Sequence, residues 1–172
     1  MFLNQLKDFS TKKIVKNNLR DPAPAPSENL IQTVGILFDE TNFRDREALM
    51  AELSQNGINR GKIEILVFKD RIKSNEEFDY PVFSHKDFSW TATIDKLQVK
   101  NFIAKRFDLL INYYDIEKAP LLLVSHLSKA DFKVGFSSID KRLNHFMIDT
   151  EVGKYKIFTD ELFKYLKILN KI

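Results

Sequence analysis

The sequence predicts an α/β fold: a three-layer, Rossmann-like sandwich with a mostly parallel sheet of about five or six strands, plus an N-terminal amphipathic helix. From residue 30 onward, short apolar runs alternate with amphipathic segments long enough to be crossover helices. The runs are apolar almost throughout, as in strands covered on both faces. Right-handed crossovers are expected, and for a Rossmann-type sheet we expect the strand order 3-2-1-4-5-6.

The first half of this region predicts a strand, a helix, a second strand and a short third strand. The strands span residues 30–38, 62–68 and 80–84, and Pro81 places the last of them at an edge of the sheet. The helix spans residues 42–55 and ends just before Gly57.

The second half continues the alternation with clearer patterns. Pro120 is compatible with a helix there because it falls in the first turn. The closing helix carries Leu162, Phe163, Leu166 and Leu169 on one side. Strands are predicted over residues 107–113, 132–136 and 145–149, and helices over 95–106, 117–129 and 155–170.

Charge divides the chain into three parts: a basic amphipathic N-terminal helix over residues 1–20, a proline-rich spacer over 21–29, and the Rossmann-like domain over 30–172. The first twenty residues hold five cations and one anion, a net charge of +4, whereas the remainder holds 22 cations and 23 anions. Three prolines favour an extended, semi-rigid spacer.

The N-terminal helix is the predicted interaction element. Most of its apolar residues fall on one face at helical spacing, although Val15 and Leu19 lie off that face. The pattern indicates either packing on its own domain, contact with a second copy or protein partner, or peripheral contact with a membrane surface. The near-neutral body has no basic stripe, which argues against nucleic acid. The residues predicted to mediate contact are Phe2, Leu6, Phe9, Lys12, Lys13 and Lys16.

Composition excludes several classes of site. Cysteine is absent, so disulfides, thiolate nucleophiles and iron–sulfur clusters are excluded, and the three histidines are too scattered to predict a metal site. No glycine-rich loop follows a strand, and Gly35 and Gly135 lie inside strands, where they indicate close approach of a helix. We therefore predict no cofactor and no metal.

Without a long apolar stretch or a secretory signal, the sequence predicts a cytoplasmic protein.

Polar side chains at the carboxyl ends of the predicted strands form the candidate rim of a ligand pocket. Asp39 has two interpretations, a nucleophile or metal ligand and a helix cap supplied by Asp39 or Thr41, and we favour the cap. His85 has a possible role as a general base but is more simply a surface histidine. The candidate rim comprises Asp39, Asn42, His85, Asn112, Tyr113, Tyr114, Asp115, Ser137 and Ser138.

Three segments also carry a family resemblance: residues 107–114, 121–130 and 133–136. They resemble an uncharacterised family of small α/β proteins associated with Bacteroidota, across most of the chain. Residues 105–136 also look like the N-terminal Rossmann-like half of heptosyltransferase-type glycosyltransferases. Those enzymes bind their sugar nucleotide largely through a second domain that has no counterpart here, so the resemblance implies a half-domain and assigns no catalytic residue.

The sequence therefore favours a non-catalytic interaction or scaffold domain. The alternative is a small ligand-binding or enzymatic domain that holds a nucleotide or sugar-like ligand at the carboxyl edge of the sheet. A pocket joining Asp39, Asn42, Tyr113 and Ser137 would favour the alternative, whereas an edge filled by these side chains would favour the interaction domain.

Overall fold

A computed structural model describes residues 2–25, 30–89 and 91–172, with side chains from residue 6 onward. Two sequence predictions therefore lie partly outside the described residues. These are the end of the predicted spacer, residues 26–29, and the side chain of Phe2.

The described residues form a six-stranded sheet in which every pairing is parallel. The strand order is β3-β2-β1-β4-β5-β6, which confirms the predicted α/β class and the predicted order. The central strands are apolar and buried on both faces, as expected for parallel strands covered by helices. The strands are β1 (Val34–Asp39), β2 (Ile63–Phe68), β3 (Val82–Phe83), β4 (Leu109–Tyr113), β5 (Phe132–Phe136) and β6 (Phe146–Ile148).

Helices cover both faces of this sheet. On one face α2 packs against α5, and on the other α3 packs against α4, which α1 covers in turn. None of the helices in the described ranges has the length and apolarity needed to cross a bilayer. The helices are α1 (Phe2–Asn18), α2 (Arg46–Gln55), α3 (Leu97–Ala104), α4 (Ala119–Leu127) and α5 (Tyr155–Ile168).

Element ends depart from prediction where side chains or distant backbone take over the hydrogen bonds. The first strand begins at Val34 rather than residue 30. Upstream of it, the N–H of Ile31 donates to the carbonyl of Lys171, and the N–H groups of Gln32 and Thr33 donate to the carboxylate of Asp108. These residues are therefore tied to the C-terminus and to the loop before β4, outside the β1–β2 ladder.

Gly35 and Gly135 are confirmed as positions of close approach, but side chains from loops, not helices, make the approach. A Cβ on Gly35 would lie 2.7 Å from the ring of Phe107, and a Cβ on Gly135 would lie 2.7 Å from the amide nitrogen of Asn144. Phe107 precedes β4 and Asn144 precedes β6. Because each glycine lacks a side chain, the loop that precedes the neighbouring strand, β4 or β6, can pack directly on the sheet.

Replacing Gly135 with alanine is expected to lower the free energy of unfolding by about 1–3 kcal/mol, because the new methyl group displaces the buried Asn144. Gly153→Ala is the matched control, since a Cβ there meets nothing within 4 Å, and its effect should stay within about 0.5 kcal/mol. Urea denaturation of both variants measures the difference. If the two variants have equal free energies of unfolding, Asn144 can move away from the new methyl group without loss of stability.

Helix α1 packs on α4 through a different face from the apolar one that the sequence pattern predicted. Among the described side chains of residues 6–19, those of Thr11, Val15 and Leu19 are buried. The carboxylate of Asp8 accepts a hydrogen bond from the N–H of Ala119, the first residue of α4. The predicted apolar stripe points elsewhere, with Leu6 43% and Phe9 70% exposed.

Candidate functional site

The carboxyl edge of the sheet is occupied by charged side chains at the point where the strand order reverses. This switch point lies between β1 and β4, the position at which α/β sheets usually bind ligands. Asp39, the last residue of β1, is only 1% exposed. Its carboxylate forms an ion pair with Lys118, which precedes α4, and the ammonium nitrogen lies 2.8 Å from the carboxylate oxygen.

Asp39 also organises the turn that follows β1. Its carboxylate accepts hydrogen bonds from the N–H of Thr41 at 3.0 Å and from the side-chain amide of Asn42 at 3.3 Å. The favoured interpretation of Asp39 or Thr41 as a helix cap is wrong, because α2 begins only at Arg46. The carboxylate instead holds an Asx turn and neutralises a lysine.

Lys118 links this edge to the rest of the domain. Its ammonium lies 3.2 Å from the carboxylate of Asp70 and 5.1 Å from the centre of the Phe68 ring. The imidazole of His85 is 3.5 Å from Asp70 and 3.8 Å from Asp8 on α1. One chain of polar contacts therefore runs from β1 through Lys118 and His85 to the N-terminal helix. We call its members at the sheet edge the switch-point cluster: Asp39, Asn42, Asp70, His85 and Lys118.

Lys118 and Asp70 were not selected in the sequence. Both lie outside the strands, one just ahead of a helix and the other in the loop after β2, so no strand-end pattern marked them. For Lys118 the signal was its position two residues before Pro120, at the start of a leucine-rich helix, whereas nothing marked Asp70. No group of three or more His, Asp or Glu side chains within the described ranges is placed to hold a metal ion.

A charged surface cavity of about 600 Å³ lies beside this cluster, at the ends of β1 and β2. In its wall, the carboxylate of Glu40 lies 3.4 Å from the ammonium of Lys69 and 3.4 Å from the guanidinium of Arg46. The lining contains none of the four residues expected to define a pocket. It consists of Glu40, Thr41, Arg44, Lys69, Asp70 and Arg71.

Asn112 and Tyr114 lie in the interior, on the side of the sheet covered by α4. The hydroxyl group of Ser125 on α4 donates to the side-chain oxygen of Asn112 at 2.8 Å and lies 2.7 Å from the Tyr114 hydroxyl. The Asn112 amide donates to the oxygen of Asn144 at 2.8 Å. Burial raises the pKa of Tyr114 well above its usual value. This network fastens β4 to α4 and to the loop before β6.

Tyr113 points to the opposite face, because successive side chains on a strand alternate. Its ring contacts Phe136 and Phe158, and its hydroxyl donates to the carbonyl of Val152 at 2.7 Å. Desolvation raises the pKa of Tyr113 well above its usual value. The tyrosine is a core residue whose hydroxyl group anchors the loop before α5.

The remaining rim residues bind neighbouring loops. The Ser137 hydroxyl donates to Asp149 at 2.8 Å, and the Ser138 hydroxyl donates to the carbonyl of Asp115 at 2.9 Å. One carboxylate oxygen of Asp115 is buried and has no hydrogen-bond partner within the described ranges. The predicted rim is thus divided among the switch-point cluster, two opposite faces of the sheet, and the loops after β4 and β5.

The predicted interaction residues of α1 are also divided. The ammonium groups of Lys12 and Lys16 lie 3.5 and 2.6 Å from the carboxylate of Glu117, whereas Lys13 is exposed. Leu6 and Phe9 share the outward side of the helix with Lys13. The helix therefore uses two of its lysines to dock and leaves its apolar side uncovered.

The chain matches no curated protein and no solved structure. A family model of unknown function, DUF6913, matches residues 7–169, a span that takes in most of α1 as well as the whole sheet. Because that match covers nearly all of the chain, this protein belongs to the DUF6913 family of unknown function.

Proposed function

We propose that this domain is a non-catalytic interaction module that self-associates through the outward face of α1, defined by Leu6, Phe9 and Lys13. The observation that carries the proposal is the orientation of the helix. It packs on α4 with Thr11 and Val15 inward, and Phe9 remains 70% exposed. Apolar side chains grouped on a folded surface are typical of interaction sites.

Charge favours an apolar partner surface over an acidic one. Lys12 and Lys16 are already paired with Glu117, and the ammonium of Lys7 donates to the carbonyl of His85. Most of the basic excess of the first twenty residues is therefore used within the domain. What the outward face offers a partner is mainly hydrocarbon, with the single charge of Lys13.

A second copy of the chain fits this face. In an antiparallel, two-fold pairing centred on Phe9, a rise of 1.5 Å per residue separates the two Lys13 positions by about 12 Å along the axis. That distance exceeds the Debye length at physiological salt, so the like charges do not oppose contact strongly. The exposed Ile116, next to Glu117, adds apolar surface beside the helix.

The arrangement of the carboxyl edge supports a non-catalytic role. Asp39 and Lys118 neutralise each other where a ligand would bind, and Asn112, Tyr113 and Tyr114 are used in the core. The alternative, a nucleotide or sugar-like ligand at this edge, requires the Asp39–Lys118 pair to open. That rearrangement would separate a buried carboxylate from its counter-ion, which is energetically costly.

The double variant Leu6→Ser, Phe9→Ser tests self-association. We expect the unaltered chain to sediment as a dimer at micromolar concentration, and the double variant to weaken dimerisation at least about tenfold, since it removes two apolar contacts at the centre of the interface. The thermal midpoint of the dissociated protein should hardly change, because both side chains are exposed. Sedimentation velocity over a concentration series measures the dimer dissociation constant.

Ile157→Ser is the matched control, because Ile157 is 50% exposed and lies on α5, on the opposite face of the sheet from α1. It should leave dimerisation unchanged. A chain that stays monomeric up to about 200 µM would overturn the proposal, as would a dimer that Leu6→Ser, Phe9→Ser does not weaken. Binding of the monomer to anionic vesicles in a flotation assay would assign the outward face to a membrane surface instead.

A further inference from the structure

The opposite, amino edge of the sheet contains a pocket that neither the sequence nor the family assigns. It has a volume of about 420 Å³ and lies below β4, β5 and β6, between the end of α4 and the segment that follows α1. We propose that this cationic pocket binds a small dianion, a phosphate or sulfate group carried by a metabolite, through Lys133, Arg20 and Lys129.

Lys133 is the central observation. It lies on β5, lines the pocket, and is only 9% exposed. Its ammonium donates one hydrogen bond, 2.8 Å long, to the carbonyl of Ser125 near the end of α4. No carboxylate of the described residues lies within 4 Å of that ammonium. A buried cation without a counter-ion is costly, and a bound anion would remove that cost.

The charges around the pocket leave a positive excess. Arg106 is paired with Asp131 and Arg142 with Asp140, so these four charges cancel. Arg20 and Lys129 are exposed and have no carboxylate partner among the described residues. Together with Lys133 they supply three cations against the one further acid in the lining, Asp21. A net charge near +2 matches a dianion.

The two histidines of the pocket contribute shape, not charge. The Nδ1 atom of His145 accepts a hydrogen bond from the N–H of Lys133, and its Nε2 atom lies 2.8 Å from the carbonyl of Ala23. The imidazole therefore carries its proton on Nε2 and is neutral. Desolvation lowers the pKa of both His126 and His145, so both are uncharged at and above neutral pH.

The size of the pocket indicates more than a bare ion. A volume of about 420 Å³ lies within the usual range for small-molecule sites. Pro22, Pro24 and Leu143 provide an apolar wall beside the cations. A phosphorylated small molecule, with its charged group at Lys133 and its remaining atoms against this wall, fits that lining.

Inorganic sulfate is the first probe, because its charge is constant from pH 6.5 to 9.5. We expect sulfate, titrated at constant ionic strength, to shift amide resonances around the pocket, with an affinity at least about tenfold weaker in Lys133→Met. That variant should fold, because it removes a desolvated charge and keeps an unbranched apolar side chain only one atom shorter. Lys100→Met, on the exposed side of α3, is the matched control and should bind sulfate normally.

The pH profile separates an electrostatic role of Lys133 from a structural one. Burial lowers the pKa of Lys133 to about 8, so the affinity for sulfate should fall about tenfold between pH 7 and pH 9.5 as the amine loses its proton. Lys129→Gln should bind more weakly but retain this pH dependence. The other titratable and charged groups facing Lys133 are His126, His145, Arg20, Arg106, Arg142, Asp21, Asp131, Asp140 and Lys171.

Three results would overturn the proposal. These are the absence of any saturable shift up to 50 mM sulfate or phosphate, a Lys133→Met variant that binds as tightly as the unaltered chain, and an affinity independent of pH across the titration of Lys133. If sulfate and phosphate bind as proposed, a sugar phosphate should bind more tightly than inorganic phosphate, because it also contacts the apolar wall.

Discussion

Replacing Lys118 with methionine is expected to lower the free energy of unfolding by about 3 kcal/mol. The substitution leaves the carboxylate of Asp39 buried with the N–H of Thr41 and the amide of Asn42 as its remaining partners. Removing one member of a buried ion pair costs about 3–5 kcal/mol, and the 15% exposure of the Lys118 side chain places this pair at the lower end. Urea denaturation measures the change.

Two further variants show whether the effect belongs to the pair. Lys154→Met breaks an ion pair between Lys154 and Glu151, both more than half exposed, and should cost less than about 0.5 kcal/mol. Adding Asp39→Asn to Lys118→Met should restore part of the lost stability, because the stranded carboxylate is then absent. If Lys118→Met costs no more than Lys154→Met, the switch-point cluster contributes little to folding.

Removing residues 1–29 is expected to destabilise the domain more, by at least about 4 kcal/mol. All seven residues from Ala119 to Ser125 on α4 are buried, and α1 covers the outer side of that helix. Deletion exposes this surface and removes the buried Val15 and Leu19, each worth about 1.5–3 kcal/mol. Thermal unfolding of residues 30–172 against the full chain measures the loss.

Val15→Ala in the full chain provides the matched test with α1 retained. It should cost about 1–2 kcal/mol, since it removes two buried methyl groups, whereas Phe9→Ser on the exposed side should cost little. A truncated chain that unfolds cooperatively at the original temperature would contradict the expectation. That result would instead support the prediction from composition and charge that residues 30–172 form a domain separate from the N-terminal helix.

The fold was predictable because its main signals are local. Each strand of the sheet is an apolar run and each crossover helix has its own periodicity, so the order of elements needs no knowledge of long-range contacts. The strand order 3-2-1-4-5-6 is the one typical of Rossmann-type sheets. The errors fall at element ends, as at residues 30–33, where partners distant in the chain decide which hydrogen bonds form.

The candidate site was only partly predictable. The sequence located Asp39 at the switch point, but its partner Lys118 is 79 positions away and precedes a helix, where no motif marks it. Strand alternation separated Tyr113 from Asn112 and Tyr114, although the three are consecutive. The cationic pocket was missed because its lysines and arginines come from separate segments, each unremarkable alone.

The sequence by itself determined the class of fold, the strand order and the presence of an amphipathic first helix, since apolar spacing specifies which segments must be buried. Only the tertiary structure decided which side of that helix is buried. The periodicity favoured the side of Leu6 and Phe9, yet Thr11, Val15 and Leu19 are buried. The reason is that the side with Val15 and Leu19 meets α4, where Asp8 also binds the start of α4 and Lys12 and Lys16 bind Glu117. Apolar burial and these polar contacts together fix the rotation of the helix.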